Sequence, residues 1–130
     1  MNLADWITDV PDFPKEGVLF RDIGPLLKEP DAYKKSIDDF LAILKEVEFD
    51  ALIAIESRGY LFASSLAYAL GKPLVVVRKP GKLPGDIVSE SYDLEYGSAT
   101  LEMQVGSLVK NQKVVIFDDV LATGGTAAAA

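Results

Sequence analysis

The sequence has 130 residues and a net charge of −7, with 49% hydrophobic and 25% charged residues and neither histidine nor cysteine. This size and composition fit one soluble globular domain, and the negative charge argues against a nucleic-acid partner, although a local basic loop could bind a small anion. The lack of cysteine excludes disulfides and thiol chemistry. The sequence shows neither a secretory signal nor an apolar run of membrane-spanning length, so we expect a cytoplasmic protein.

The first part of the chain predicts one long helix after a loop. Residues 4–10 predict a short helix, and residues 11–27 predict a loop that is interrupted by proline and glycine. Residues 29–49 predict an amphipathic helix, because apolar residues recur at helical spacing and Pro30 stands in the first turn, where proline is tolerated. The apolar positions are Tyr33, Ile37, Phe40, Leu41, Leu44 and Val47.

Three short apolar runs predict strands that are buried on both faces, at residues 51–55, 73–77 and 113–117. A helix over residues 59–70 separates the first two strands and ends at Gly71. A basic, mobile loop over residues 78–90 precedes a β-hairpin over residues 92–105 that turns near Gly97 and Ser98. We therefore predict a single α/β domain with a mostly parallel sheet, flanked by helices, and a hairpin and flexible loop over the site.

The segment DDVLATGGT, residues 118–126, follows the third strand and carries the most chemistry. Two adjacent acids at a strand end are typical of a solvated turn with a helix cap, but they can also accept hydrogen bonds from sugar hydroxyls. Two glycines let backbone amides converge, and a helix beginning near Thr126 would direct free amides at an anion. A sugar phosphate fits both features. The sequence has no P-loop lysine after these glycines and no GxGxxG pattern.

Residues 114–126, VVIFDDVLATGGT, resemble the 5-phosphoribosyl-1-pyrophosphate (PRPP) binding motif of the type I phosphoribosyltransferase family. Four further segments resemble the adenine-specific members of that family in the same order along the chain. They are PDFPKEGVLFRDIGPLL, IESRGYLFASSLA, VRKPGKLPG and SYDLEYGSATLEMQ. The resemblance implies that adenine and PRPP give AMP and pyrophosphate in purine salvage, in a homodimer that uses Mg²⁺ held through PRPP and water rather than by direct protein ligands.

The resemblance also assigns PRPP-binding residues. Asp118 and Asp119 would hold the ribose hydroxyls, directly or through Mg²⁺ and water. Arg58 would bind pyrophosphate, whereas a lone arginine there would more often be a surface charge or an ion pair with Glu56. A basic lid would close on pyrophosphate and exclude water, unless it is only a solvated loop. The lid residues are Arg78, Lys79 and Lys82, and the 5′-phosphate residues are Ala122, Thr123, Gly124, Gly125 and Thr126.

The resemblance places Glu95 as general acid or base for the purine, where a strand glutamate would otherwise be merely solvated. Tyr96 would pack over the closed site or within the hairpin. Residues 1–29 would form a hood segment before an α/β core at residues 30–130. In that hood, Leu19 and Arg21 would offer main-chain groups to the adenine edge, unless Leu19 is ordinary core. Outside the hood, Val120 would lie against the adenine face.

Two alternatives stay open at this point. The chain could be a regulator of the same fold that binds PRPP without catalysis, or a phosphoribosyltransferase for another base. Members of the family normally continue through a full helix and further strands after Thr126, where this sequence has four alanines. We therefore expect an incomplete scaffold beneath the phosphate loop, and the activity of this chain stays open.

Overall fold

The computed structural model describes residues 1–93, 97–118 and 125–130. They divide into two compact units, Met1–Glu46 and Val47–Ala130, each with its own elements. Within these ranges, no helix is both long enough and apolar enough to cross a membrane.

The first unit begins with a 3-10 helix, Leu3–Trp6, and a small antiparallel sheet of β1 (Thr8–Val10) and β2 (Phe20–Asp22). The helix predicted over residues 4–10 is therefore wrong beyond Trp6, because residues 8–10 pair with β2, and pairing between strands overrides local helical preference. The predicted loop is wrong in part too, since it contains β2 and most of helix α1 (Gly24–Lys28).

Helix α2 runs from Pro30 to Leu44, and Pro30 occupies the first turn as predicted. The Glu29 side chain caps the helix by accepting the Asp31 N–H at 3.4 Å. The helix ends at Leu44 rather than at residue 49 because the chain must turn to enter the next strand. Val47 therefore lies beyond the helix and is 44% exposed, so its predicted place on the apolar face of the helix is wrong.

The second unit is built on a parallel sheet of β3 (Ala51–Ile55), β4 (Leu74–Val77) and β7 (Val114–Phe117), in the order β4-β3-β7. Helix α3 (Tyr60–Leu70) connects β3 to β4 and ends at Gly71, whose φ of +66° is the left-handed conformation that glycine adopts without strain. The predicted parallel strands, the helix between the first two and its glycine stop are all confirmed.

A β-hairpin of β5 (Ile87–Asp93) and β6 (Ser98–Gln104) is joined to the sheet through a bridge between Arg78 and Glu102. The hairpin is confirmed, but its first strand begins at Ile87, which the sequence placed in the basic loop. Ile87 and Val88 pair with the far end of β6, so the strand is longer than the alternation of residues 92–105 suggested.

The core of this unit lies on both faces of the sheet. Ile53, Ile55, Val75, Val77 and Leu101 form a buried cluster on the hairpin side. On the α3 side, the rings of Phe62 and Phe117 lie 6.1 Å apart.

Strand β7 departs from the prediction of burial on both faces, since Val114 and Ile116 are 36% and 39% exposed. These two residues are two positions apart and so lie on the same face of the strand, and the residues that the structure describes leave this face partly uncovered. The short helix α4 (Gly125–Ala129) follows, and it begins close to the predicted Thr126.

Candidate active site

Three sequence-predicted segments follow the carboxyl ends of parallel strands. Residues 56–59 follow β3, residues 78–86 follow β4, and Asp118 follows β7. Because parallel neighbours point the same way, all three segments begin at one edge of the sheet, the edge where open α/β sheets bind ligands.

Gly59 allows the segment after β3 to lie directly against the end of β7. A Cβ atom at this position would stand 2.8 Å from the Ile55 carbonyl oxygen, 3.2 Å from the Phe117 carbonyl oxygen and 3.5 Å from the Asp118 Cα. Its φ of −58° suits any residue, so the requirement for glycine is one of space and not of conformation. The glycine therefore positions the Arg58 segment beside Asp118.

We expect Gly59→Ala to destabilise the protein by about 1–3 kcal/mol, the usual cost of forcing extra atoms into a packed site. The closest neighbours are backbone atoms, which cannot move aside as a side chain tip can. Urea unfolding followed by circular dichroism measures the effect. The exposed Ser57→Ala is the control and should stay within about 0.5 kcal/mol of the parent. Equal stability of all three proteins would contradict the close approach.

Glu56 connects the ends of β3 and β4 through its carboxylate. Its side chain is only 5% exposed. One oxygen, Oε2, accepts the backbone N–H of Lys79 at 3.0 Å and the Nε–H of Arg78 at 3.1 Å. The other oxygen, Oε1, lies 3.4 Å from the Nζ of Lys82. A single buried carboxylate thus contacts all three predicted lid residues.

The surroundings shift the pKa of two groups at this edge. Burial opposes ionisation of Glu56, but the Lys79 amide, Arg78 and Lys82 outweigh it and hold the pKa of this carboxyl below its ordinary value. Burial raises the pKa of the Tyr60 hydroxyl to about 12, and the positive charge of Arg78 works against this rise. Glu56 is therefore ionised and Tyr60 is neutral at pH 7, and the Tyr60 hydroxyl donates to the Val77 carbonyl at 2.8 Å.

Glu102 ties the basic loop to the hairpin. It is buried in β6, and its two carboxylate oxygens accept the Gly81 N–H at 3.0 Å and the Ser89 hydroxyl at 3.1 Å. Its backbone also exchanges both hydrogen bonds with Arg78, at 2.7 and 2.9 Å. The far end of the loop is held by the Gln104 side chain, which donates to the Pro84 carbonyl at 3.1 Å. Both ends of the loop that was predicted as a lid thus make hydrogen bonds to the hairpin, and its mobility stays a prediction.

The structure brings together the basic residues that the sequence selected in the second unit. Arg78, Lys79 and Lys82 contact Glu56, while Arg58 is half-buried one residue before Gly59 and Asp118 is half-buried at the end of β7. Glu56 pairs with Arg78 and Lys82, which are partners that the sequence did not suggest for it.

The two predicted adenine-edge residues lie in the first unit. Leu19 is exposed and precedes β2, and Arg21 lies within β2. The Arg21 side chain forms an ion pair with Asp9 on the paired strand β1. This contact is compatible with a main-chain role for Arg21, which stays a prediction.

Several predicted site residues lie outside the described residues. They are Glu95, Tyr96, Asp119, Val120, Ala122, Thr123 and Gly124. Gly125 and Thr126 are the first two residues of α4. The roles of all these residues stay predictions.

Sequence reasoning missed Glu56, Tyr60 and Glu102 as parts of this edge. Glu56 carried a usable signal, because it directly follows a fully buried strand, as ligand-binding residues of parallel sheets do. Glu102 carried the opposite signal. It alternates with Leu101 and Met103 and so reads as the solvent-facing residue of a strand, yet it is buried beneath the loop.

The residues that the structure describes contain no group of three or more acidic side chains placed to hold a metal ion. Asp118 supplies carboxylate oxygens at the strand end, which is the donor type that Mg²⁺ prefers. Near the phosphate oxygens of a substrate, such a carboxylate suits Mg²⁺ that is held through water, since this ion usually keeps several waters and few protein ligands.

Comparison with known proteins identifies the class. Residues 26–130 match the family model described as a phosphoribosyl transferase domain. Adenine phosphoribosyltransferase of Thermosipho melanesiensis is 55% identical over 129 residues, covering 99% of this chain and 74% of the relative. The enzyme of Ureaplasma parvum is 54% identical over 123 residues, covering 95% of this chain and 71% of the relative.

Solved structures agree with the sequence relatives. The crystal structure of adenine phosphoribosyltransferase from Thermoanaerobacter pseudethanolicus has a TM-score of 0.94 at 46% identity, over 98% of this chain and 76% of that one. The Saccharomyces cerevisiae enzyme, solved with an imino-altritol bisphosphate and adenine, has a TM-score of 0.90 at 44% identity, over 98% and 74%. The fold is thus that of a type I phosphoribosyltransferase. The chain belongs to the adenine phosphoribosyltransferase family.

Proposed function

We propose that this protein transfers the phosphoribosyl group of PRPP to adenine, which gives AMP and pyrophosphate in purine salvage. The observation that carries the proposal is the 55% identity to an adenine phosphoribosyltransferase over 99% of the chain. The edge of the sheet supports it, because basic residues and an acid lie where a substrate with a diphosphate and a ribose would need them.

The basic side of the edge suits the leaving group. Arg58 follows β3, and Arg78, Lys79 and Lys82 follow β4, so donors from two adjacent strand ends can bind pyrophosphate oxygens. Arginine offers a planar fork of N–H groups that matches phosphate oxygens. As the bond between the ribose and pyrophosphate breaks, negative charge grows on the leaving group, and fixed cations stabilise it.

The acidic side suits the sugar. Asp118 accepts hydrogen bonds from ribose hydroxyls, assisted by Asp119, and residues 122–126 bind the 5′-phosphate. Glu95 manages the purine proton, with Tyr96 packed over the closed site. Leu19, Arg21 and Val120 contact adenine. All of these roles rest on the resemblance of the motifs.

The remaining parts of the proposal also rest on the resemblance. Mg²⁺, when bound, would offset the negative charge of PRPP, held by PRPP oxygens and water near Asp118 and Asp119. The protein would act as a homodimer in the cytoplasm, with no nucleic-acid or membrane partner.

The test is AMP formation by this chain with adenine, PRPP and Mg²⁺, followed by chromatography. We expect AMP from adenine and at most traces of nucleotide from hypoxanthine or guanine, because pairing of buried polar groups with a base discriminates strongly. Preference for another base would replace adenine as the substrate. PRPP binding without any nucleotide product would favour the non-catalytic regulator instead.

A further inference from the structure

Glu56 makes contacts that the proposed roles do not use. Within the part of the chain that the structure describes, the partners of its carboxylate are all residues that the family resemblance assigns to the pyrophosphate lid: Arg78, Lys79 and Lys82. The carboxylate is almost fully buried at the end of β3, and those partners begin at the end of the adjacent strand β4. A buried acid beside an anion site repels the anion, so its presence requires a physical reason.

The two carboxylate oxygens hold their partners in different ways. Oε2 accepts one backbone N–H at 3.0 Å and the Nε–H of Arg78 at 3.1 Å, which restrains the guanidinium on the side that faces Glu56. Oε1 faces Lys82 at the longer distance of 3.4 Å, and the Lys82 side chain is 49% exposed. Water competes for the ammonium group in such an exposed pair, so the contact is easily exchanged.

We propose that Glu56 is a positioning residue of the pyrophosphate site. Its Oε2 atom holds Arg78 in place, and its Oε1 atom releases Lys82 to the incoming anion. The inference rests on the proposed function of the same edge. In the free protein, the carboxylate of Glu56 offsets the positive charge of the Lys82 side chain. When pyrophosphate or the diphosphate of PRPP binds, its oxygens replace Oε1 as the partner of Lys82, while the Arg78 and Lys79 contacts persist.

The first experiment separates positioning from binding. Glu56→Gln keeps the size of the side chain but removes the charge that orients Arg78. We expect kcat for AMP formation to fall by about 10- to 100-fold, because a small misplacement of a group in the active site lowers the rate by such factors. The KM for PRPP should stay unchanged or fall, since a charge that repels the anion is gone. Glu56→Asp, which keeps the charge, should retain more activity than Glu56→Gln.

Glu48→Gln is the matched control, because Glu48 is exposed and precedes the same strand β3 at its opposite end. Its kcat should match the parent. A Glu56→Gln protein with the kcat of this control overturns the proposal. Parallel loss of thermal stability, kcat and PRPP affinity would also overturn it, because that pattern marks a merely structural ion pair.

The second experiment does not depend on catalysis. Calorimetric titration with pyrophosphate and Mg²⁺ compares Lys82→Gln in the parent and in Glu56→Gln. We expect Lys82→Gln to weaken binding more in the Glu56→Gln protein, since no carboxylate then competes for Lys82. If the effects of Lys82→Gln and Glu56→Gln on pyrophosphate affinity are additive, Lys82 is not exchanged between Glu56 and the anion. If the parent does not bind pyrophosphate, the assignment of this edge as a pyrophosphate site is overturned. A parent that binds pyrophosphate but forms no AMP refutes the proposed function, while the cycle still decides the role of Glu56.

Discussion

Glu95→Gln is expected to lower the rate of AMP formation by about 10²–10⁴-fold, the usual contribution of a positioned general acid or base. The amide keeps the size of the side chain but cannot accept or release the purine proton. PRPP affinity should hardly change, because PRPP carries no group that exchanges this proton. Single-turnover measurements with saturating adenine and PRPP give the chemical rate, and calorimetry gives the affinity.

The control for this prediction is Glu90→Gln, which makes the same change at an exposed position of β5 in the same hairpin. It should leave turnover unaltered. If Glu95→Gln retains the parent rate within a few-fold, Glu95 is a solvated residue of the hairpin sequence, and the proton is handled by water or by the backbone. A loss of PRPP affinity equal to the loss of rate would instead assign Glu95 to binding.

The central sheet could be predicted from the sequence because its strands are short continuous apolar runs. ALIAI is buried at every position, and no amphipathic alternative competes with such a pattern. The end of helix α3 at Gly71 could be predicted as well, since a glycine in the left-handed conformation commonly terminates a helix. Once these strands are parallel, the common edge of Arg58, Arg78 and Asp118 follows from geometry alone.

The rest depends on contacts between segments that are distant in sequence. Strands β1 and β2 are three residues each and stabilise one another, so neither shows a pattern that is readable by itself. Glu102 is buried because residues from the basic loop donate to it, which the alternation of β6 cannot reveal. The contacts of Glu56 arise in the same way, from residues that follow a different strand.

Replacement of Asp118 and Asp119 by asparagine is expected to weaken PRPP binding strongly. A hydrogen bond that involves a charged group contributes about 1.5–3 kcal/mol, so each acid should account for roughly tenfold or more in affinity. Asp118 is half-buried where β7 ends, beside the Gly59 backbone, and asparagine preserves its shape. The fold should therefore survive, and calorimetric titration with PRPP and Mg²⁺ should show the loss.

The same change at the amino ends of the strands, opposite the predicted site, provides the control. Asp50 directly precedes β3, and its carboxylate accepts the N–H of Lys113, which directly precedes β7, at 2.8 Å. Asp50→Asn therefore removes an acid at the amino ends of both strands, away from the predicted site. It should lower stability slightly and leave PRPP affinity alone. The two single variants, Asp118→Asn and Asp119→Asn, apportion the loss. Unchanged PRPP affinity in the double variant would refute the ribose assignment, because no other predicted residue supplies acceptors for the sugar hydroxyls at this strand end.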